Sequence, residues 1–154
     1  MATRFYEAVV LARRQLTPGM VRLTFGGEGL RALETTGVPD EYFRFFFPNP
    51  RTGRLHLPEI DESGRWSFPE GPDVVLYATY TVRRYRRHAD GGVEIDIDFV
   101  VHKGGVASEW AQRAEPGETL VLNRPRGIYA PPADIAWQLL AADATGLPAL
   151  GRIL

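Results

Sequence analysis

The chain has 154 residues, a formal net charge of −1, 24% charged and 44% hydrophobic residues, and no cysteine. That length suits one ordinary domain with a substantial core, and the composition is that of a folded chain rather than a disordered one. Near-neutral charge argues against a general polyanion binder. Without cysteine there are no disulfides, thiol nucleophiles, cysteine-ligated zinc or ordinary iron–sulfur clusters, so redox work would need a bound organic cofactor.

Met1-Ala2-Thr3-Arg4-Phe5-Tyr6-Glu7 lacks the apolar core of a signal peptide, and no stretch approaches the roughly 18 apolar residues of a membrane span. The expected location is the cytoplasm. Residues 20–25 alternate polar and apolar side chains and read as a strand, and Gly26-Gly27-Glu28-Gly29-Leu30 as a turn into a short helix. A dense aromatic strand over residues 41–47 is stopped by Pro48. Residues 74–82 are again extended. After the turn Asp90-Gly91-Gly92 comes the clearest strand, residues 93–101, with Val93, Ile95, Ile97 and Phe99 on one face and Glu94, Asp96 and Asp98 on the other.

One helix is signalled over residues 104–114, after two glycines and before Pro116-Gly117. A strand over 118–122 and a loop over 123–127 lead to Pro131-Pro132, read as a domain boundary. Residues 1–132 are therefore expected to form a mainly β domain, an antiparallel Greek-key barrel with one short helix. Residues 135–142 are mostly apolar, as in a strand buried on both faces of a parallel sheet. Thr145 is expected to cap a following helix with Pro148 in its first turn. Residues 133–154 thus read as the first strand and helix start of a truncated α/β nucleotide-binding domain, since a parallel partner would need a longer crossover than remains.

Three constellations carry chemistry. In Tyr80-Thr81-Val82-Arg83 a phenol ring suits stacking on an isoalloxazine, a hydroxyl suits its N5 edge, and an arginine suits phosphate; an ordinary aromatic strand with a solvated Arg83 uses the same residues. Gly104-Gly105-Val106-Ala107-Ser108 offers free amides at a helix start to an anion, with Ser108 adding a hydroxyl, or is a plain helix start. Arg83-Arg84-Tyr85-Arg86-Arg87-His88 is either a solvated hairpin or an anion-attracting rim, and the single basic stripe makes nucleic acid a poor partner. His56, His88 and His102 lack ligand spacing, so no metal site is expected. His102 is either a surface residue or a contact to a cofactor's adenine or ribose. Asp96 and Asp98 suit a solvated acidic face, and no catalytic acid or base is assigned.

In this order the segments resemble the siderophore-interacting protein family, FAD-dependent ferric-siderophore reductases of the ferredoxin-reductase-like superfamily. The resemblance rests on the aromatic strand, Tyr80-Thr81-Val82-Arg83, Ile95-Asp96-Ile97-Asp98-Phe99-Val100-Val101-His102, Gly105-Val106-Ala107-Ser108-Glu109-Trp110-Ala111, Arg124-Pro125-Arg126-Gly127 and Asp143-Ala144-Thr145-Gly146-Leu147-Pro148-Ala149. It implies a flavin-binding barrel holding FAD, NAD(P)H as the electron donor, and a ferric siderophore as substrate. Carried over by position, it implies cofactor contacts from Tyr80, Thr81, Val82 and Arg83, from Asp98, Val100 and His102, from Ala107 and Ser108, and from Thr145. Arg84 and Arg86 are candidates for attracting the anionic chelate. Two residues depart from the family pattern: Ala78 stands where Arg-x-Tyr-Thr has its arginine, and Val106 where proline is more usual. The alternative function is a non-catalytic flavin- or siderophore-binding module, or an inactive fragment.

Overall fold

The structure, a computed structural model, describes residues 5–71 and 74–154. Residues 1–4, part of the segment read above for a leader, and residues 72–73 lie outside the described residues. Eight strands and two helices follow in chain order: β1 Phe5–Thr17, β2 Met20–Gly26, β3 Tyr42–Phe47, β4 Glu59–Ile60, β5 Trp66–Ser67, β6 Leu76–Arg87, β7 Val93–Val100, α1 Val106–Arg113, β8 Thr119–Asn123 and α2 Leu147–Ile153. A 3₁₀ turn, Glu28–Leu30, follows β2 where the glycine-rich turn was expected.

Six strands close an antiparallel barrel in the order β1-β2-β7-β6-β3-β8, and β4 and β5 form a separate two-stranded hairpin. The alternation read from residues 93–101 is realised in the β2–β7 register. Val21 meets Phe99, Leu23 meets Ile97 and Phe25 meets Ile95, all fully buried, while Arg22 faces Asp98 and Thr24 faces Asp96 outside. Phe43, Phe45 and Phe47 of β3 fill the same core, and Trp110 of α1 stacks on Phe25 at 6.3 Å between centroids. Each such ring removes apolar area from water worth roughly 1.5–3 kcal/mol. Phe46 points the other way and is buried outside the barrel by Phe5, Trp66 and Tyr77, so the β4–β5 hairpin gives β3 a second apolar layer.

Sequence alternation does not single out β1, the longest strand. Only its first half alternates, with Tyr6, Ala8 and Val10 buried, and two register irregularities break the pattern before Thr17.

Residues 135–142 form no strand, which corrects the expectation above. They run irregularly over the surface with Trp137 79% and Leu139 82% exposed. A strand needs a ladder partner, and no strand of the barrel pairs with this segment. Thr145 does not cap α2 either: Gly146 holds that position, and the Thr145 hydroxyl donates to Asp143 Oδ1 at 2.6 Å. Pro148 does sit in the first turn, buried, and α2 packs across β6.

Candidate functional site

The barrel is closed unevenly. β6 and β7 pair from Arg87 opposite Val93 up to Val82 opposite Ile97, and there the register ends. Beyond that point β6 continues along β3 to Leu76, and β7 continues along β2 to Val100. The two strands part, and a cleft of about 420 Å³ lies over the parting. Ala78, Thr79, Tyr80 and Thr81 line it from β6, Tyr42 from β3, and Asp98, Val100 and His102 from β7 and its exit. Thr145, Pro148 and Ala149 close it as a third wall.

Tyr80 is placed by alternation on the inner face of β6, where its ring packs 4.3 Å from Phe99 and 6.2 Å from Phe45 between centroids. Burial pushes its phenol up to about 12, so it stays protonated and remains a hydrogen-bond donor at neutral pH. Thr81 stands opposite Tyr42 in the β3–β6 register. Asp98 is held in two-point contact by Arg22, Nε to Oδ1 at 2.6 Å and Nη2 to Oδ2 at 2.8 Å, which fixes one wall of the cleft electrostatically. The acids of β7 are thus not the solvated face read from sequence. Asp98 is 6% and Asp96 5% exposed, and Asp96 accepts from Arg86 at 2.7 and 2.8 Å and from the Thr24 hydroxyl at 2.8 Å. What alternation could not show is that β2 and β6 bring arginines to both sides of that strand.

Of the ten sequence-assigned cofactor residues, the fold gathers Tyr80, Thr81, Asp98, Val100, His102 and Thr145 around the cleft. Val82 is fully buried inside the barrel and presents only backbone. Its neighbour Arg83 is the extra residue of a bulge between Val82 and Arg84, and its guanidinium lies against Gly151 of α2 rather than in the cleft lining. Arg84 is exposed and makes no ion pair among the described residues, whereas Arg86 is held by Asp96 and Glu94. Asp40, Tyr42, Thr79, Pro148 and Ala149 line the cleft without having been assigned to a site. Only the β3–β6 register and the docking of α2 reveal them.

The start of α1 stands beside this cleft. Gly105 occupies the N-cap without any side-chain cap, and a Cβ there would lie 2.2 Å from His102 Cε1, so the missing side chain is what lets the His102 ring fold over the helix start. Gly104 takes a positive φ of 79°, which suits glycine. Ala107 is buried. The Ser108 hydroxyl is turned inward, donating to the His102 carbonyl at 2.9 Å and accepting its N–H at 2.8 Å, so it braces the loop instead of facing solvent. The Gly104 N–H donates to Glu109 Oε1 at 3.1 Å. Gly104 and Val106 of the helix start themselves line a second cavity of about 550 Å³, together with Phe47, Leu76 and Trp110. Among the described residues no cluster of histidine and carboxylate side chains could hold a metal ion.

The siderophore-interacting FAD-binding domain family matches residues 9–129. The chain is 38% identical over 151 residues to an NADPH-dependent ferric-chelate reductase of Escherichia coli, covering 98% of this chain and 56% of that protein. It is 36% identical over 149 residues to a ferric vibriobactin reductase of Vibrio cholerae, covering 92% of this chain and 50% of that one. The crystal structure of a siderophore utilization protein from T. fusca superposes with a TM-score of 0.75 at 34% identity, covering 99% of this chain and 56% of the other. The chain spans about half the length of the curated relatives it matches.

Proposed function

Because the chain belongs to the family of siderophore-interacting FAD-binding domains, we propose that its cleft holds the flavin of an NAD(P)H-dependent ferric-siderophore reductase. The observation that carries the reading is the parting of β6 and β7, a slot lined by Tyr80, Thr81, Asp98 and His102, whose ring folds over the start of α1. These residues fit FAD at its two ends differently. Tyr80 offers an aromatic face and a protonated phenol, and Thr81 a hydroxyl, to the ring system. Toward the pyrophosphate the chain offers the first-turn amides of α1 and its dipole, with Ala78 supplying no cation and the Ser108 hydroxyl already engaged.

The chemistry FAD supplies when bound is the conversion of a two-electron donor into single electrons, two Fe(III) being reduced to Fe(II) per NAD(P)H oxidised. The protein has no need to ligate the iron. Arg84, exposed on β6 beyond the cleft, is assigned the attraction of the anionic chelate; Arg86, the other candidate, has its guanidinium shared between two carboxylates. No helix among the described residues is long and apolar enough to cross a membrane, and reduction inside the cell, with release of the weaker-binding Fe(II), is part of this proposal.

Ala78 favours one second reading, a barrel that binds flavin or siderophore without turnover. The purified chain is expected to take up added FAD, with quenched flavin fluorescence and a perturbed visible spectrum. A protein that leaves the spectrum of FAD unchanged rules the flavin site out. NAD(P)H-dependent reduction of a ferric siderophore then separates the reductase from the binding module, which would show none.

A further inference from the structure

We propose that Arg152 and Glu41 form a clasp that holds α2 in place as the third wall of the cleft, so that flavin retention depends on two side chains that do not line it. Only the retention half of this inference rests on the flavin reading above.

At seven residues and with no side-chain cap, α2 is too short to persist by itself. Yet it contributes Pro148 and Ala149 to the cleft, and Thr145 just before it does the same. One turn further on, Arg152 reaches the barrel. Its Nη1 donates to the Val82 carbonyl at 3.0 Å and lies 3.5 Å from Glu41 Oε1. Val82 directly follows Thr81, and its own N–H donates to the Glu41 carbonyl at 2.8 Å. The guanidinium therefore grips the sheet where β6 leaves β7 and the cleft begins.

Glu41 is built to receive that grip. It is fully buried, and its carboxylate accepts from the Thr35 hydroxyl at 3.0 Å, the Thr36 hydroxyl at 2.7 Å and the Thr36 backbone N–H. These neutral donors satisfy its lone pairs but leave its charge, and a buried carboxylate is tolerated when a cation faces it. Arg152 brings that cation from the far end of the chain. The adjoining Gly151 allows Arg83 to lie flat on the same helix, since a Cβ there would stand only 3.0 Å from Arg83 Nη2. Strand and buried acid are locked to the helix by one guanidinium, and none of Arg152, Glu41 and Val82 lines the slot.

Hydrogen–deuterium exchange on the whole 154-residue chain reads the clasp with no ligand present. Arg152→Ala is expected to raise exchange at the Leu150 and Leu154 amides, which bond within α2, by about tenfold or more, while the amides of β2 and β7 keep their rates. Arg152→Lys, which keeps the charge but not the planar fork, should restore part of the protection. In fluorescence titrations Arg152→Ala should weaken FAD binding at least about fivefold through faster dissociation. Unchanged exchange at α2 overturns the clasp, as does a rise shared equally by the barrel amides. Loss of α2 protection with wild-type FAD affinity overturns the wall's part in retention. A parent chain that binds no FAD defeats the flavin reading, while the exchange result still decides the clasp.

Discussion

Ala78 sits two residues before Tyr80 on β6, lines the cleft and packs against the barrel core beside Phe45. The sequence resemblance implies an arginine at this position, and a charge-assisted hydrogen bond to a phosphate contributes about 1.5–3 kcal/mol. Ala78→Arg is therefore expected to tighten FAD binding roughly ten- to hundredfold, read by fluorescence titration. An uncharged ring-only ligand such as lumiflavin, which lacks the pyrophosphate, should gain nothing from the same change. Equal gains for both ligands would place the new guanidinium on the ring rather than on phosphate. Tyr80 and Ala78 were both legible in sequence because one short motif carries them. The inward turn of Ser108 was not, since a hydroxyl in a helix start reads the same whether it faces a ligand or the backbone of His102.

At the scale of elements, β7 is the strand whose two faces divide the work. Its inner face builds core, and its outer face is a charged ladder in which Arg22 holds Asp98, Arg86 holds Asp96 and Glu94, and His88 approaches Glu94 at 3.3 Å. Burial works to raise the Asp96 carboxyl, but hydrogen bonds from Arg86 and Thr24, with the charges of Arg86 and Arg22, outweigh it and hold the group below its ordinary value. A carboxyl lowered on folding stabilises the native state fully above the unfolded value of about 3.9 and loses that contribution as pH falls through the folded value. Asp96→Asn should accordingly be less stable than the parent by about 1–2 kcal/mol at neutral pH, with the difference shrinking in acid. Urea denaturation at several pH values checks the sign, and a gap that widens in acid would contradict it. The alternation of residues 93–101 shows both faces of this strand, but not its partners. Arg22 lies 76 residues away in the chain from Asp98, and only the β2–β7 register joins them.

For the whole molecule, the sequence alone was enough to recognise a mainly β barrel with one helix after the strand over residues 93–101, because Gly/Pro punctuation and period-2 alternation are local signals. It failed where structure depends on what lies alongside. Residues 135–142 have the composition of a buried strand but pair with none of the described strands, and Trp137 and Leu139 lie exposed. Of the third wall the resemblance implied only Thr145; what holds that wall was not legible, because nothing local in Leu147–Ile153 says that Arg152 meets a glutamate 111 residues earlier.

Where β6 and β7 part, two stretches of strand run on, each laddered on one side only: Leu76 to Thr81 pairs with β3, and Asp98 to Val100 pairs with β2. Exposed strand edges are templates for pairing with another chain, so an empty slot is also an adhesive seam. The unliganded protein should self-associate as its concentration rises, and saturating FAD should suppress this while raising the midpoint of thermal unfolding, as a ligand bound only by the native state must. Analytical ultracentrifugation with and without FAD measures it, and identical sedimentation across a wide concentration range in both states would show that α2 alone keeps the seam shut. A cell making this barrel faster than it makes flavin would then accumulate clustered protein, and cofactor supply would govern its solubility as well as its colour.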